Sequence, residues 1–135
     1  MGAVHPTKEQ IKALSAAAAD EPVVMINLLR FKKEGPGAEK NGSDLYDRYA
    51  ENILPILKSI GARVLWVGDV SQVFIGGDED RWDRVLLVEY PSRRKFLEMI
   101  ALPEYQRIHQ DREAALESSA LLAAASLYPP PTRLR

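Results

Sequence analysis

With 135 residues, 46% of them hydrophobic and 27% charged, the chain has the size and composition of one globular domain with a single core. Its formal net charge is -1 and its Lys and Arg are scattered, which argues against the basic face of a nucleic-acid binder. Cysteine is absent, which excludes disulfides, thiolate nucleophiles and every zinc or iron–sulfur site that needs Cys.

The start, Met1-Gly2-Ala3-Val4-His5-Pro6, lacks the charged residues and apolar run of a signal peptide. No apolar stretch reaches membrane-spanning length, the longest, Val23 to Leu29, being interrupted by Asn27. A cytoplasmic location without membrane association is the expectation.

Thr7-Lys8-Glu9-Gln10 reads as a capping box, with Thr7 at the N-cap and Gln10 reaching back. Ile11, Leu14, Ala17 and Ala18 follow on one helical face, and Pro22 closes the segment. Val23 to Phe31 is a strand, apolar on both alternations. Lys32 to Gly42, rich in glycine and charge, is a loop. Ser43 is expected to cap a helix whose stripe is Tyr46, Tyr49, Ala50, Ile53, Leu57 and Ile60, with Pro55 producing a kink near Glu51 and Gly61 ending it.

Ala62 to Val67 predicts a second strand, continuing past Gly68 to Ile75, with Gly68 marking a bulge or a close backbone approach. Gly76-Gly77-Asp78-Glu79-Asp80 is a turn, and Arg84 to Tyr90 is a third strand stopped by Pro91. Ser92 caps a short helix through Ile100, and Pro103 starts a longer one from about Glu104 to Ser119. Leu121 to Tyr128 predicts the last strand, before Pro129-Pro130-Pro131. The expected organisation is an N-terminal helical extension over 1–21, one α+β domain over 22–128 and a flexible tail over 129–135.

After the first helix the order is strand, helix, strand, strand, helix, strand: the split βαβ, or ferredoxin-like, arrangement with an antiparallel four-stranded sheet. Helices cover one face of such a sheet. The other should alternate with polar residues if it met water, yet Val24, Ile26 and Leu28 oppose Val23, Met25, Leu29 and Phe31, and Val85 and Leu87 oppose Leu86, Val88 and Tyr90. A second copy of the chain is the simplest cover. The alternative is the N-terminal helix, which is too short to cover four strands.

Asn27-Leu28-Leu29 with Phe31, Tyr46 and Tyr49, the run Gly61 to Leu65, Trp82-Asp83, Tyr90-Pro91-Ser92, Pro103-Glu104-Tyr105-Gln106 and Arg112 resemble domain-of-unknown-function family DUF1330 from about Pro22 to Leu121. That family is similar to the dimeric α/β-barrel superfamily, in which two ferredoxin-like sheets face each other. The resemblance implies this fold and a homodimer, and relatives in that superfamily include cofactor-independent monooxygenases, small-molecule isomerases and haem-degrading enzymes. It supplies no reaction. Members often carry His directly before the Arg, where this chain has Asp111, so a mechanism with a base at that position is in doubt.

Asn27 is a lone amide in an apolar strand, either bonding backbone or pointing into a cavity. Tyr105, Ile108, His109, Arg112, Ala115 and Leu116 share one face of the long helix. Arg112 there wants a carboxylate, either Glu89 within the chain or an acidic or carbonyl-bearing small molecule. His109 is a satisfied or surface histidine, or a general base through its near-neutral pKa. Tyr46 and Tyr49 read as core edge whose hydroxyls can line a pocket mouth, whereas Glu104, Asp111 and Glu113 read as solvated helix faces.

Two functional classes remain. In the first, a small-molecule enzyme without tightly bound cofactor uses a pocket between sheet and helices, with Asn27, Tyr46, Tyr105 and Arg112 binding the ligand and His109, Arg112 and Glu89 as catalytic candidates. In the second, a non-catalytic ligand-binding or purely structural homodimer uses the same residues as internal partners. No metal site is expected, because no spaced His/Asp/Glu motif is present.

Overall fold

The computed structural model of the chain describes residues 4–16, 20–33 and 42–128. Helix α1 (Lys8–Ala16) precedes β1 (Val23–Phe31), α2 (Gly42–Ser59), β2 (Arg63–Asp69), a single 3₁₀ turn at Asp78–Asp80, β3 (Arg84–Tyr90), α3 (Arg93–Ile100), α4 (Pro103–Ala115) and β4 (Leu116–Ala124). The strands form one sheet in the order β2-β3-β1-β4, and every neighbouring pair is antiparallel. This is the split βαβ order, with α2 and the α3–α4 pair as its two helical connections.

Several ends form where local chemistry places them. Gln10 N–H donates to Thr7 Oγ1 at 3.1 Å and Thr7 N–H to Gln10 Oε1 at 2.8 Å, so the capping box closes reciprocally. Ser92 Oγ accepts from Lys95 N–H at 3.0 Å. Gly61 takes φ 81°, a left-handed value glycine adopts without strain, directly after α2. Helix α2 runs through Pro55 as one segment. It begins at Gly42, one residue before the expected Ser43 cap. A Cβ at Gly42 would run into the Ala115 carbonyl and the Lys32 backbone, and Gly42 N–H donates to Lys32 O at 2.8 Å. Ala17 and Ala18, most of the Lys32–Gly42 loop and the triple proline lie outside the described residues.

Two boundaries differ from expectation. Helix α4 stops at Ala115 instead of Ser119, and β4 runs from Leu116 to Ala124 instead of 121–128. Lys32 N–H donates to Ala115 O at 2.9 Å and Phe31 pairs with Leu116, so β1 captures the chain there. Ser118 and Ser119 are weak helix formers, and a full ladder with β1 outweighs the helical preference of the Ala/Leu run beyond them. Strand β2 ends at Asp69 and not at Ile75; one last bond, from Val70 N–H to Asp83 O at 2.9 Å, follows it where β3 has not yet begun. Phe74 and Ile75 then leave the sheet, 88% and 86% exposed. The bulge comes between Val64 and Trp66, and the Trp66 ring lies over Gly68, where a Cβ would collide with it.

The core lies between the sheet and α2, α3 and α4. Val23, Met25 and Leu29 of β1 meet Tyr46, Tyr49, Ile53 and Leu57 of α2, Met99 of α3 and Tyr105 and Ala115 of α4. The opposite face of the sheet carries Val24, Ile26, Leu28, Val85, Leu87, Trp66, Ala120 and Leu122 in register. Helix α1 does not cover it. That helix packs against α3, Arg94 Nη2 lies 3.0 Å from Asp20 Oδ1, and none of its residues is buried.

Candidate functional site

The side chains with chemical potential gather on the covered face, where α2 and α4 lie side by side. Leu45, Tyr46, Tyr49, Ile53, Ile56 and Leu57 recur at spacings of three and four, so one face of α2 is buried and carries both phenols inward. On α4 the spacing of Tyr105, Arg112 and Ala115 does the same. The two helices therefore bring three tyrosines and one arginine together.

Arg112 is 6% exposed, and none of the ion pairs among the described residues uses it. Its guanidinium donates to the Tyr46 hydroxyl oxygen. The position in the last turn of α4 places the charge at the negative end of the helix dipole, which offsets part of its desolvation. The Tyr49 hydroxyl donates to Tyr105, and the Tyr46 and Tyr49 rings lie 5.3 Å apart. Burial pushes the phenol pKa values of Tyr46, Tyr49, Tyr90 and Tyr105 up, against the Arg112 charge, which lowers each. All four stay protonated donors at neutral pH.

Phe31 stacks at 5.7 Å from Tyr46, and Arg84 sits over Phe31 at 5.0 Å. Arg84 is already paired: its Nε lies 2.6 Å from Asp69 Oδ1 and its Nη1 2.9 Å from Asp47 Oδ1. That bond from Arg84 holds the Asp69 carboxyl below its ordinary pKa. Two arginines thus approach the same aromatic group, one neutralised by carboxylates and the other met by phenol.

Glu89 is not the partner of Arg112. Strand register pairs Glu89 with Val24 and Arg63, on the face away from the helices, and Arg63 Nε lies 2.8 Å from Glu89 Oε1. The period-two alternation that turns Val88 and Tyr90 into the core must turn Glu89 out of it. Asn27 is on the helix side, opposite Leu86 and Leu121, but its Nδ2 donates to Met25 O at 3.3 Å and so answers its own strand. Tyr46, Tyr105 and Arg112 come together, while Glu89 does not join them.

His109 lies one turn before Arg112 on α4. Its Nδ1 is 3.0 Å from Glu113 Oε1, and its ring is 5.3 Å from that of Tyr105. Glu113, expected on a solvated face, is 42% exposed there and is also the partner of His109; the four-residue spacing of the two is the signal that marks it. Asp111, at the position where histidine was the alternative, forms a two-pronged pair with Arg48 at 3.0 and 2.7 Å. Tyr49 was legible only as core edge, because its bond to Tyr105 joins residues 56 apart in the chain. Among the described residues, no group of three or more His, Asp or Glu is placed to hold a metal ion.

Strand order, antiparallel register and helices packed on one face define a ferredoxin-like α+β domain. Within that class the chain belongs to the family described as domain of unknown function (DUF1330), whose sequence model matches residues 39–125. A protein of unknown function from Rhodopseudomonas palustris is 33% identical, with a TM-score of 0.87 over 96% of this chain and 100% of that one. A dimeric protein of unknown function and ferredoxin-like fold from Bacteroides fragilis is 17% identical, with a TM-score of 0.53 over 76% of this chain and 94% of that one. The hydroxynitrile lyase of Passiflora edulis shares the fold at 14% identity, with a TM-score of 0.57 over 78% of this chain and 93% of that one. No curated protein matches the chain. No helix among the described residues is long and apolar enough to cross a membrane.

Proposed function

We propose that the protein is a homodimer that takes up a small molecule between sheet and helices, with Arg112 gripping a carboxylate or carbonyl oxygen and no tightly bound cofactor. The observation that carries this reading is a buried guanidinium answered by a phenol and by no acid among the described residues. A cation removed from water costs several kcal/mol unless an anion or good acceptors meet it. No buried side-chain nitrogen or oxygen among the described residues lacks a hydrogen-bond partner, so a ligand oxygen would add only the negative charge that no described carboxylate brings to Arg112. Tyr46 and Tyr105 would flank that oxygen with neutral hydroxyls, and Asn27 would border the site from the sheet. A monooxygenase- or isomerase-like reaction is the most this machinery suggests.

The homodimer rests on the apolar sheet face, on α1 lying elsewhere, and on the dimeric Bacteroides fragilis protein of the same fold. Such an interface buries about 2,000 Å² or more when obligate.

Thermal-shift measurements with small carboxylates, quinols and aldehydes, on wild type and Arg112→Met, test the binding site. A ligand at a hundredfold excess over its Kd stabilises wild type by about 2.7 kcal/mol, and the folded variant should lose that response. The purely structural homodimer is favoured by one observation, the bond between the Tyr49 and Tyr105 hydroxyls, which satisfies them internally. Under that reading Arg112→Met changes the melting temperature but no ligand response.

A further inference from the structure

Helix α4 carries a second pair of groups that anchoring by Arg112 does not use. His109 Nδ1 lies 3.0 Å from Glu113 Oε1. An ionised carboxylate only accepts, so the imidazole proton sits on Nδ1 and the lone pair on Nε2. Among the described residues the imidazole's side-chain hydrogen bond is made by Nδ1, and because no buried side-chain nitrogen there lacks a partner, Nε2 is open to solvent. The His109 side chain is 17% exposed, enclosed yet not sealed.

Four groups face this imidazole. Glu113, Arg112 and Tyr105 come from its own helix, and His5 comes from the N-terminal segment with its ring at 6.0 Å. His5 Nε2 also approaches the other Glu113 oxygen at 3.8 Å. Burial and then the Arg112 charge lower the His109 pKa, outweighing the bond to Glu113, which raises it. The unprotonated form is the resting form at neutral pH, and residues three apart on a helix share a face, so the imidazole and the guanidinium lie on the same side of α4.

We infer that His109 is a general base, positioned by Glu113, that removes a proton from the carbon next to the carbonyl of a small 2-oxo acid. The inference rests on the proposed role of Arg112 as ligand anchor. A 2-oxo acid fits that anchor because its carboxylate and its carbonyl oxygen lie side by side and can both meet the planar guanidinium fork. In the reaction, Nε2 takes the proton, the C–H electron pair becomes a C=C bond, and the carbonyl π pair moves onto oxygen. The resulting enolate oxygen faces Arg112 and the Tyr46 hydroxyl. Return of the proton from His109 to carbon restores the substrate, and to oxygen gives the enol. No oxidant, reductant or second substrate is needed.

The test is solvent deuterium exchange at the C–H positions of pyruvate and phenylpyruvate, followed by proton NMR with the full chain, alongside thermal shift with the same two acids. Wild type should accelerate exchange by about a hundredfold over buffer, and His109→Gln should return it to the buffer rate. Glu113→Gln should slow exchange about tenfold or more through lost orientation. It should also move the rising limb of the pH profile to lower pH, because the contribution that raises the His109 pKa is gone; a loss of packing would leave that limb in place. Exchange at the buffer rate while the acids still raise the melting temperature overturns the base and spares the anchor. Neither exchange nor a raised melting temperature overturns both. An unchanged rate and limb in Glu113→Gln overturn the positioning role.

Discussion

Along β1, Val23, Met25 and Leu29 point under the helices and are buried, while Val24, Ile26 and Leu28 on the other face remain half-buried. The residue types are nearly the same. What differs is the polar company each face keeps. Under the helices the charge of Arg112 is met by phenols that stay protonated, in a setting where water is excluded. On the open face Arg63, whose side chain is 55% exposed, pairs with Glu89, whose side chain is 13% exposed, so a charge there is met by an opposite charge. The first arrangement is a buried polar cluster, and the second leaves an apolar surface exposed on the subunit.

The largest effect expected from breaking this comparison is at Leu29, which is 0% exposed. Leu29→Ala should lower stability by about 2–5 kcal/mol in urea denaturation, whereas Leu28→Ala, its neighbour on the other face, should cost far less in a dissociated subunit. Equal losses would mean that the two faces are not distinct. Next comes Leu28→Asp, which places a charge on the open face. Light scattering should show a folded monomer where wild type is a dimer, and a wild-type monomer at micromolar concentration would refute the interface.

The two arginine sites sharpen the contrast at smaller scale. Arg112→Met strands no carboxylate among the described residues, so its cost in denaturation should stay within about 1 kcal/mol, instead of the roughly 3–5 expected for a broken buried ion pair. Arg63→Ala should cost about 1–3 kcal/mol, because Arg63 is 55% exposed but the Glu89 carboxylate it leaves behind is only 13% exposed. A loss of several kcal/mol in Arg112→Met would show that an acid does answer it.

The smallest effect is pH dependence. His109 has a pKa below its ordinary value of 6.5 in the fold, so the unfolded chain binds the proton more readily. Its contribution to stability is therefore complete above 6.5 and fades as pH falls through the folded value. Melting temperatures across that window should drop less in His109→Gln than in wild type.

The sequence alone determined the element order, because period-two runs, capping residues and the Gly61 stop are local signals. It determined that both sheet faces are apolar, and that Tyr105, His109 and Arg112 share a helix face, since spacing fixes direction along one helix. It named Tyr46, Tyr105 and Arg112, which do come together. It could not place Glu89 relative to Arg112, because the register between β1 and β3 is set by long-range pairing, and one residue of slip exchanges the faces. The end of α4 was likewise decided by its neighbour: β1 offers Leu116 and the residues after it a ladder, and no local preference of an Ala- and Leu-rich run competes with that. The pairing of His109 with Glu113 was written in their spacing, but only the packed helix shows the imidazole enclosed enough for that bond to fix its tautomer.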